Sequence, residues 1–157
     1  MYVASLLKQK SAKCITIAPG APVSDAIRLL HTFGIGAVVS VDRQGMVCGI
    51  LSERDIIRGL ATHGAVIMSQ GVAELMTRTV HTCRPSDTVV SVMAAMSERN
   101  IRHLPVIDRG RLIGMISLRD VVRERLLEVE DEVVSIREYM EGDYVLPPSV
   151  EHSYRPV

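Results

Sequence analysis

Two serine–aspartate pairs, Ser52 with Asp55 and Ser117 with Asp120, stand at the same spacing, each with an arginine, Arg54 or Arg119, immediately before the aspartate. Each serine falls where an apolar run gives way to helix-forming sequence. The unpaired N–H groups at the start of such a helix, its dipole and the serine hydroxyl together form a receptor for a phosphate. A carboxylate one turn further in can accept hydrogen bonds from the two hydroxyls of a ribose, and the arginine can neutralise phosphate charge. The same Ser-x-x-Asp spacing before an apolar helix is also a helix-capping arrangement. For one such pair alone, capping is the simpler role, and the arginine serves equally well on a solvated face.

The elements that position these pairs are duplicated. GILSERD, Gly49 to Asp55, returns as GMISLRD, Gly114 to Asp120, at an offset of 65, whereas Val41-Asp42 with Ile107-Asp108 and Pro19 with Pro85 match at 66. The second copy therefore lacks one residue in the intervening turn. Each copy predicts a short opening strand, Cys14 to Ile17 or Thr79 to Thr82, closed by a proline. A helix follows, with Val23, Ala26, Ile27 and Leu30, or Val89, Val92, Met93 and Met96, at the i, i+3, i+4, i+7 spacing of a core stripe. Two apolar runs then flank a glycine-containing turn: Ala37 to Val41 and Met46 to Leu51, or Leu104 to Ile107 and Leu112 to Ile116. A second helix starts at Ser52 or Ser117, and in the second copy its apolar positions run through Val121, Val122, Leu126 and Val129 towards Met140. Met1 to Gln9 and Val72 to Met76 predict matching lead-in helices. The expected organisation is a lead-in and first repeat over 1–62, a connector over 63–71, a second repeat over 72–130, and a helical extension with an extended or mobile tail over 131–157, where Pro147, Pro148 and Pro156 break any period.

This order of elements, the paired G-φ-φ-S-x-x-D segments and the phrase Asn100-Ile101-Arg102-His103-Leu104-Pro105-Val106 resemble the CBS-domain family over about residues 10 to 130. The resemblance implies an α/β (α+β) fold of two β-α-β-β-α repeats related by pseudo-twofold symmetry. Their sheets would pack face to face and leave two nucleotide clefts. It also implies frequent dimers, and so a homodimer here. Ser52, Arg54, Asp55, Ser117, Arg119 and Asp120 are the leading ligand candidates. The copies differ where Gly36-Ala37 in the first stands against Arg102-His103 in the second, so the clefts should not be equivalent. Arg102 and His103 are candidate phosphate contacts, and Gly36 a place for close approach of backbone to a base or ribose. Thr16 and His81, on the opening strands, are weaker candidates near the base.

Composition narrows the alternatives. Hydrophobic residues at 47% and charged residues at 23% fit a globular protein, while aromatics at 3% argue against base-stacking platforms. Lys plus Arg equals Asp plus Glu at 18 each, so no global field recruits nucleic acid or an anionic membrane, and any anion site is local. Cys14, Cys48 and Cys83 are widely spaced without a CxxC pair, the five histidines lack metal spacing, and no signal peptide or membrane-length apolar run is present. A cytoplasmic, non-catalytic, metal-free regulatory module is the expectation, binding an adenosine-containing molecule: AMP first, with ADP, ATP, NAD(H) or S-adenosylmethionine as alternatives. With no effector domain in the sequence, either a separate partner protein would read the ligand or the protein would act as a nucleotide sensor or buffer through its own oligomer, and the sequence does not choose between these. A structural dimerisation module with vestigial clefts is the main competing reading, and a nucleotide-processing enzyme using Asp55 or Asp120 as base a weaker one.

Overall fold

The computed structural model describes residues 1–10 and 14–142. The tail from 143 onwards, for which an extended end was expected, lies outside the described residues. The chain divides into a unit over 1–121 and a second over 122–157. The first begins with α1 (Val3–Gln9), followed by β1 (Thr16–Ile17), α2 (Val23–Phe33), β2 (Ala37–Val41), β3 (Val47–Ser52) and α3 (Glu53–His63). A 3₁₀ segment (Gly64–Ser69) and a single helical turn, α4 (Val72–Leu75), lead to α5 (Val89–Glu98), β4 (His103–Asp108) and β5 (Arg111–Ser117). The last described helix, α6 (Leu118–Gly142), starts in the first unit and runs into the second.

The two repeats form two sheets, β1-β2-β3 and β4-β5. Both hairpins are antiparallel, and both carry a register shift at the matched places Ser40/Val41 and Val106/Ile107. Their turns rest on left-handed backbone at Gly45 and at Arg109-Gly110, and the Asp42 carboxylate fixes the longer turn by accepting from the Gln44 and Met46 amides. Core stripes also match: Val23, Ala26 and Leu30 are buried on α2, and Val89, Val92 and Met96 on α5. Both helices end on a left-handed residue, Gly34 at φ 60° and Asn100 at φ 51°.

The opening strands are shorter than the sequence predicts. In the first repeat only Thr16–Ile17 pairs with β2, in parallel. In the second, no strand covers Thr79 to Thr82, and the parallel pairing shrinks to a bridge between Cys83 and Val106. The physical reason is that Thr79, Val80 and His81 line a cleft instead of extending the sheet.

The lead-in elements are exchanged between the cores. One core unites Val3 and Leu6 of α1 with Cys83, Val89, Val92, Met96, Leu104, Val106, Ile116 and Val121 of the second repeat. The other unites Val72 and Met76, together with Ile67 of the 3₁₀ connector, with Ile17, Val23, Ala26, Leu30, Val38, Leu51 and Ile56 of the first. This explains the glycine of the repeated motif. A Cβ on Gly49 would stand 2.4 Å from the Met76 sulfur, and one on Gly114 would stand 2.6 Å from a Leu7 methyl. Each lead-in element lies directly on its glycine, so the motif needs glycine for close packing of distant chain segments. Among the described residues no helix is long and apolar enough to cross a membrane.

Candidate functional site

Ser52 ends β3 in extended conformation and caps α3. Its amide and hydroxyl donate to Asp55 Oδ2 at 2.8 and 2.7 Å, and the Asp55 amide donates back to the hydroxyl at 3.4 Å. Ser117 and Asp120 reproduce this with 2.7, 2.7 and 3.3 Å. The capping role is therefore real in both copies. It engages one carboxylate oxygen of Asp55 and leaves Oδ1 outside these bonds, so capping orients the carboxylate without using it up.

Asp55 lies in a cleft of about 600 Å³ built from both repeats. The first repeat contributes Gly36, Ser52, Arg54 and Asp55, and the second His81, Arg102 and His103, so seven of the residues singled out in the sequence meet in one place. Three arginines, Arg54, Arg58 and Arg102, face two carboxylates, Glu53 and Asp55. This supplies the local positive excess that a neutral chain needs for an anion. Ile50, Ile57, Val80 and Ile101 give the cleft its apolar surface. Arg54 Nη1 donates to the Asn100 carbonyl at 3.3 Å, holding the guanidinium across the mouth between the repeats. His81 is joined to Arg99 through Nδ1 at 3.1 Å.

Gly36 admits a side chain of the opposite repeat: the His103 ring stands 3.1 Å from where its Cβ would be, and a Glu53 carboxylate oxygen 3.5 Å. In this structure the group approaching that backbone is therefore an imidazole. Burial pushes the His103 pKa down, Lys10 and Arg102 push it further, and Asp120 and Glu53 oppose them in part. The net result favours a neutral ring with a nitrogen available to donate or accept.

Thr16, Ala37, Ser117, Arg119 and Asp120 do not line this cleft. Thr16 is exposed on β1, Ala37 is fully buried in β2, and Arg119 is exposed on α6. Asp120 meets a cation that sequence reasoning did not identify: Lys10 Nζ donates to its Oδ2 at 2.5 Å and to the Met115 carbonyl at 3.2 Å. Burial raises the proton affinity of Asp120, but hydrogen bonds from Lys10 and Ser117 outweigh it and hold the carboxyl below its ordinary range. Sequence reasoning also missed Glu53, Arg58, Thr77 and Thr79 as lining residues. Arg58 had a usable signal, since it stands three residues after Asp55 on the same α3, whereas Glu53, two residues before Asp55, had none from its spacing. Thr77 and Thr79 had none, because their place follows from the exchanged lead-in. Among the described residues no group of three His, Cys, Asp or Glu side chains is placed to share a metal ion.

The CBS domain family model matches residues 7–62 and again 72–127. A mitochondrial CBS domain-containing protein of Arabidopsis thaliana, CBSX3, is 34% identical over 126 residues, which are 78% of this chain and 61% of the relative. The chain thus spans about three-fifths of that protein's length. A crystal structure of a CBS-domain containing protein from Agrobacterium tumefaciens superimposes with a TM-score of 0.77 at 38% identity, covering 80% of this chain and 99% of the other. The CBS domain pair of protein MJ0100, solved with 5′-methylthioadenosine and S-adenosyl-L-methionine, gives a TM-score of 0.73 at 28% identity, with 82% and 98% covered.

Proposed function

The chain belongs to the CBS-domain family as a tandem pair, and from that premise we propose that it is a non-catalytic regulatory module whose Asp55 cleft binds an adenine nucleotide. The observation that carries this reading is the meeting, in one cleft between the repeats, of a capped carboxylate with a free oxygen edge, three arginines and an apolar wall. Asp55 Oδ1 would accept from the ribose hydroxyls. Arg54, Arg58 and Arg102 would take the phosphate, with Ser52 fixing the Asp55 carboxylate at the start of α3, and Ile50, Ile57, Val80 and Ile101 would hold the adenine. The adenosine ligands of the MJ0100 domain pair support the ligand class. AMP is the first choice within it, ahead of ADP, ATP, NAD(H) and S-adenosylmethionine.

At the second serine–aspartate pair Lys10 engages the Asp120 carboxylate, and no ligand is assigned there while that ion pair holds. Occupancy of the Asp55 cleft changes the relation between the repeats, or between the subunits of a homodimer, by as much as the ligand's differential affinity allows. A separate effector protein reads that change. The three free cysteines suit a reducing cytoplasm.

A thermal-shift panel of these ligands on wild type, Asp55→Asn and Asp120→Asn tests the reading. Ligand at 100 times its dissociation constant stabilises by about 2.7 kcal/mol, several degrees of midpoint. The expected shift survives Asp120→Asn and falls by about half or more in Asp55→Asn. No shift with any ligand would leave a structural dimerisation module. Incubation of AMP, ADP and ATP with the pure protein tests the non-catalytic part: recovery of unchanged nucleotide is expected. Turnover lost in Glu53→Gln would instead make the two cleft carboxylates an enzyme site.

A further inference from the structure

Helix α6 carries an apolar seam unrelated to the clefts. Val122, Leu126, Val129, Val133, Ile136 and Met140 follow one another at steps of four, three, four, three and four residues, and each is between 42 and 64% exposed. Steps alternating between three and four are the a/d repeat of a coiled coil, in which helices bury such a stripe against one another. Leu126, Val133 and Met140 take the a places, and Val122, Val129 and Ile136 the d places. Most of the seam lies beyond residue 127, where the second family match ends, so the repeat fold does not account for it.

The flanking charges choose the occupant. The e places hold Arg123, Glu130 and Arg137, and the g places Arg125, Glu132 and Tyr139. In a parallel, in-register pair each g residue faces the e residue five positions on in the other helix. Arg125 then meets Glu130 of the partner copy, and Glu132 meets Arg137 of the partner copy, both attractive and both repeated by symmetry. In the antiparallel arrangement that uses the whole seam, Glu130 meets its own copy, Glu132 meets its own copy and Arg123 meets Arg137, all repulsive. Arg125 also forms an ion pair with Glu128 on its own helix, and a guanidinium with five donors can serve both carboxylates.

We infer that copies of this chain associate through a parallel, in-register packing of α6 along this seam. The inference rests on the self-association within the proposed function but not on its ligand. Ile at d with Leu at a favours three or four strands over two in parallel coils, so a mass above that of a dimer satisfies it equally.

Sedimentation equilibrium of the full chain over a wide concentration series tests the inference. Wild type should show a multiple of the 17.3 kDa chain mass, and a Leu126→Glu/Val133→Glu variant should return to that mass with its helical circular dichroism kept. Glu132→Arg should weaken association several-fold, and Glu132→Arg/Arg137→Glu should restore it. Ile136→Cys should cross-link under oxidation beyond any wild-type background, as parallel helices require. An assembled wild type whose mass survives Leu126→Glu/Val133→Glu would overturn the seam alone. A monomeric wild type would overturn self-association altogether, while the ligand reading would still stand on the thermal shifts.

Discussion

Asp55 and Asp120 are fixed by the same three bonds to their serines, yet Lys10 closes on Asp120 at 2.5 Å, while among the described residues no lysine or arginine pairs with Asp55. The lead-ins match at an offset of 69, with the Ala4 and Ala73 amides donating to the matched carbonyls of Pro85 and Pro19 and with Leu7 and Met76 over the matched glycines, so the residue matching Lys10 is Thr79, which lines the Asp55 cleft. One lead-in element is thus followed by a cation that reaches a carboxylate, and the other by a hydroxyl that lines a cleft. The comparison teaches that the serine–aspartate motif prepares a carboxylate, and that the segment preceding each repeat decides whether that carboxylate faces an open cleft or an internal ammonium.

The largest expected effect separates the two aspartates in binding. Asp55→Asn removes a charged acceptor from the ribose, worth about 1.5–3 kcal/mol per hydrogen bond, or about 10- to 150-fold in affinity. Asp120→Asn should change the affinity of the first cleft less than twofold, as measured by calorimetric titration with AMP. An equal loss in both variants would erase the distinction between the clefts.

A smaller effect tests how well the repeats match in their cores. Ser40 is fully buried with its hydroxyl unpartnered among the described residues, and the matched place in the second repeat is Val106, also fully buried. Ser40→Val should raise stability by about 1 kcal/mol by removing an unsatisfied polar group, read as a higher midpoint in urea. Val106→Ser should lower it by a comparable or larger amount.

The smallest effect concerns pH. Because the folded pKa of Asp120 is depressed, its contribution to stability is present above the unfolded carboxylate value, near 3.8, and is lost as pH falls through the lower folded value. Lys10 is 41% exposed, and solvent screening limits the pair to less than about 1 kcal/mol. The stability gap between wild type and Lys10→Ala should therefore be constant from neutrality down to the unfolded carboxylate range and close below it. A gap that persists in acid would assign Lys10 a packing role instead.

Much of this was legible in the sequence because it is local and duplicated. The stripe Val23-Ala26-Leu30 and its counterpart Val89-Val92-Met96, the hairpins around Gly45 and Gly110, and the helix starts at Ser52 and Ser117 each follow from a spacing of a few residues. The resemblance to a paired fold named Arg102 and His103 as ligand candidates, but their meeting with Asp55 of the other repeat was not read from the sequence, since nothing local brings together residues so far apart. What stayed hidden is the exchange of lead-in elements. Gly49 and Gly114 read as strand residues of a motif, and their steric need for Leu7 and Met76 to pass over them arises only in the folded chain. Lys10 was invisible for the same reason, being a single exposed-type residue at the end of a short helix, with its partner 110 residues away.

The central claim is that Lys10 makes the clefts unequal, and the most direct measurement of it is the stoichiometry of AMP binding to wild type and Lys10→Ala by isothermal titration calorimetry. The account predicts one site per chain in wild type, weakened about 10- to 150-fold by Asp55→Asn, and two sites in Lys10→Ala, the second weakened likewise by Asp120→Asn. Two sites in wild type, or one site unchanged by Asp55→Asn and lost in Asp120→Asn, would contradict it.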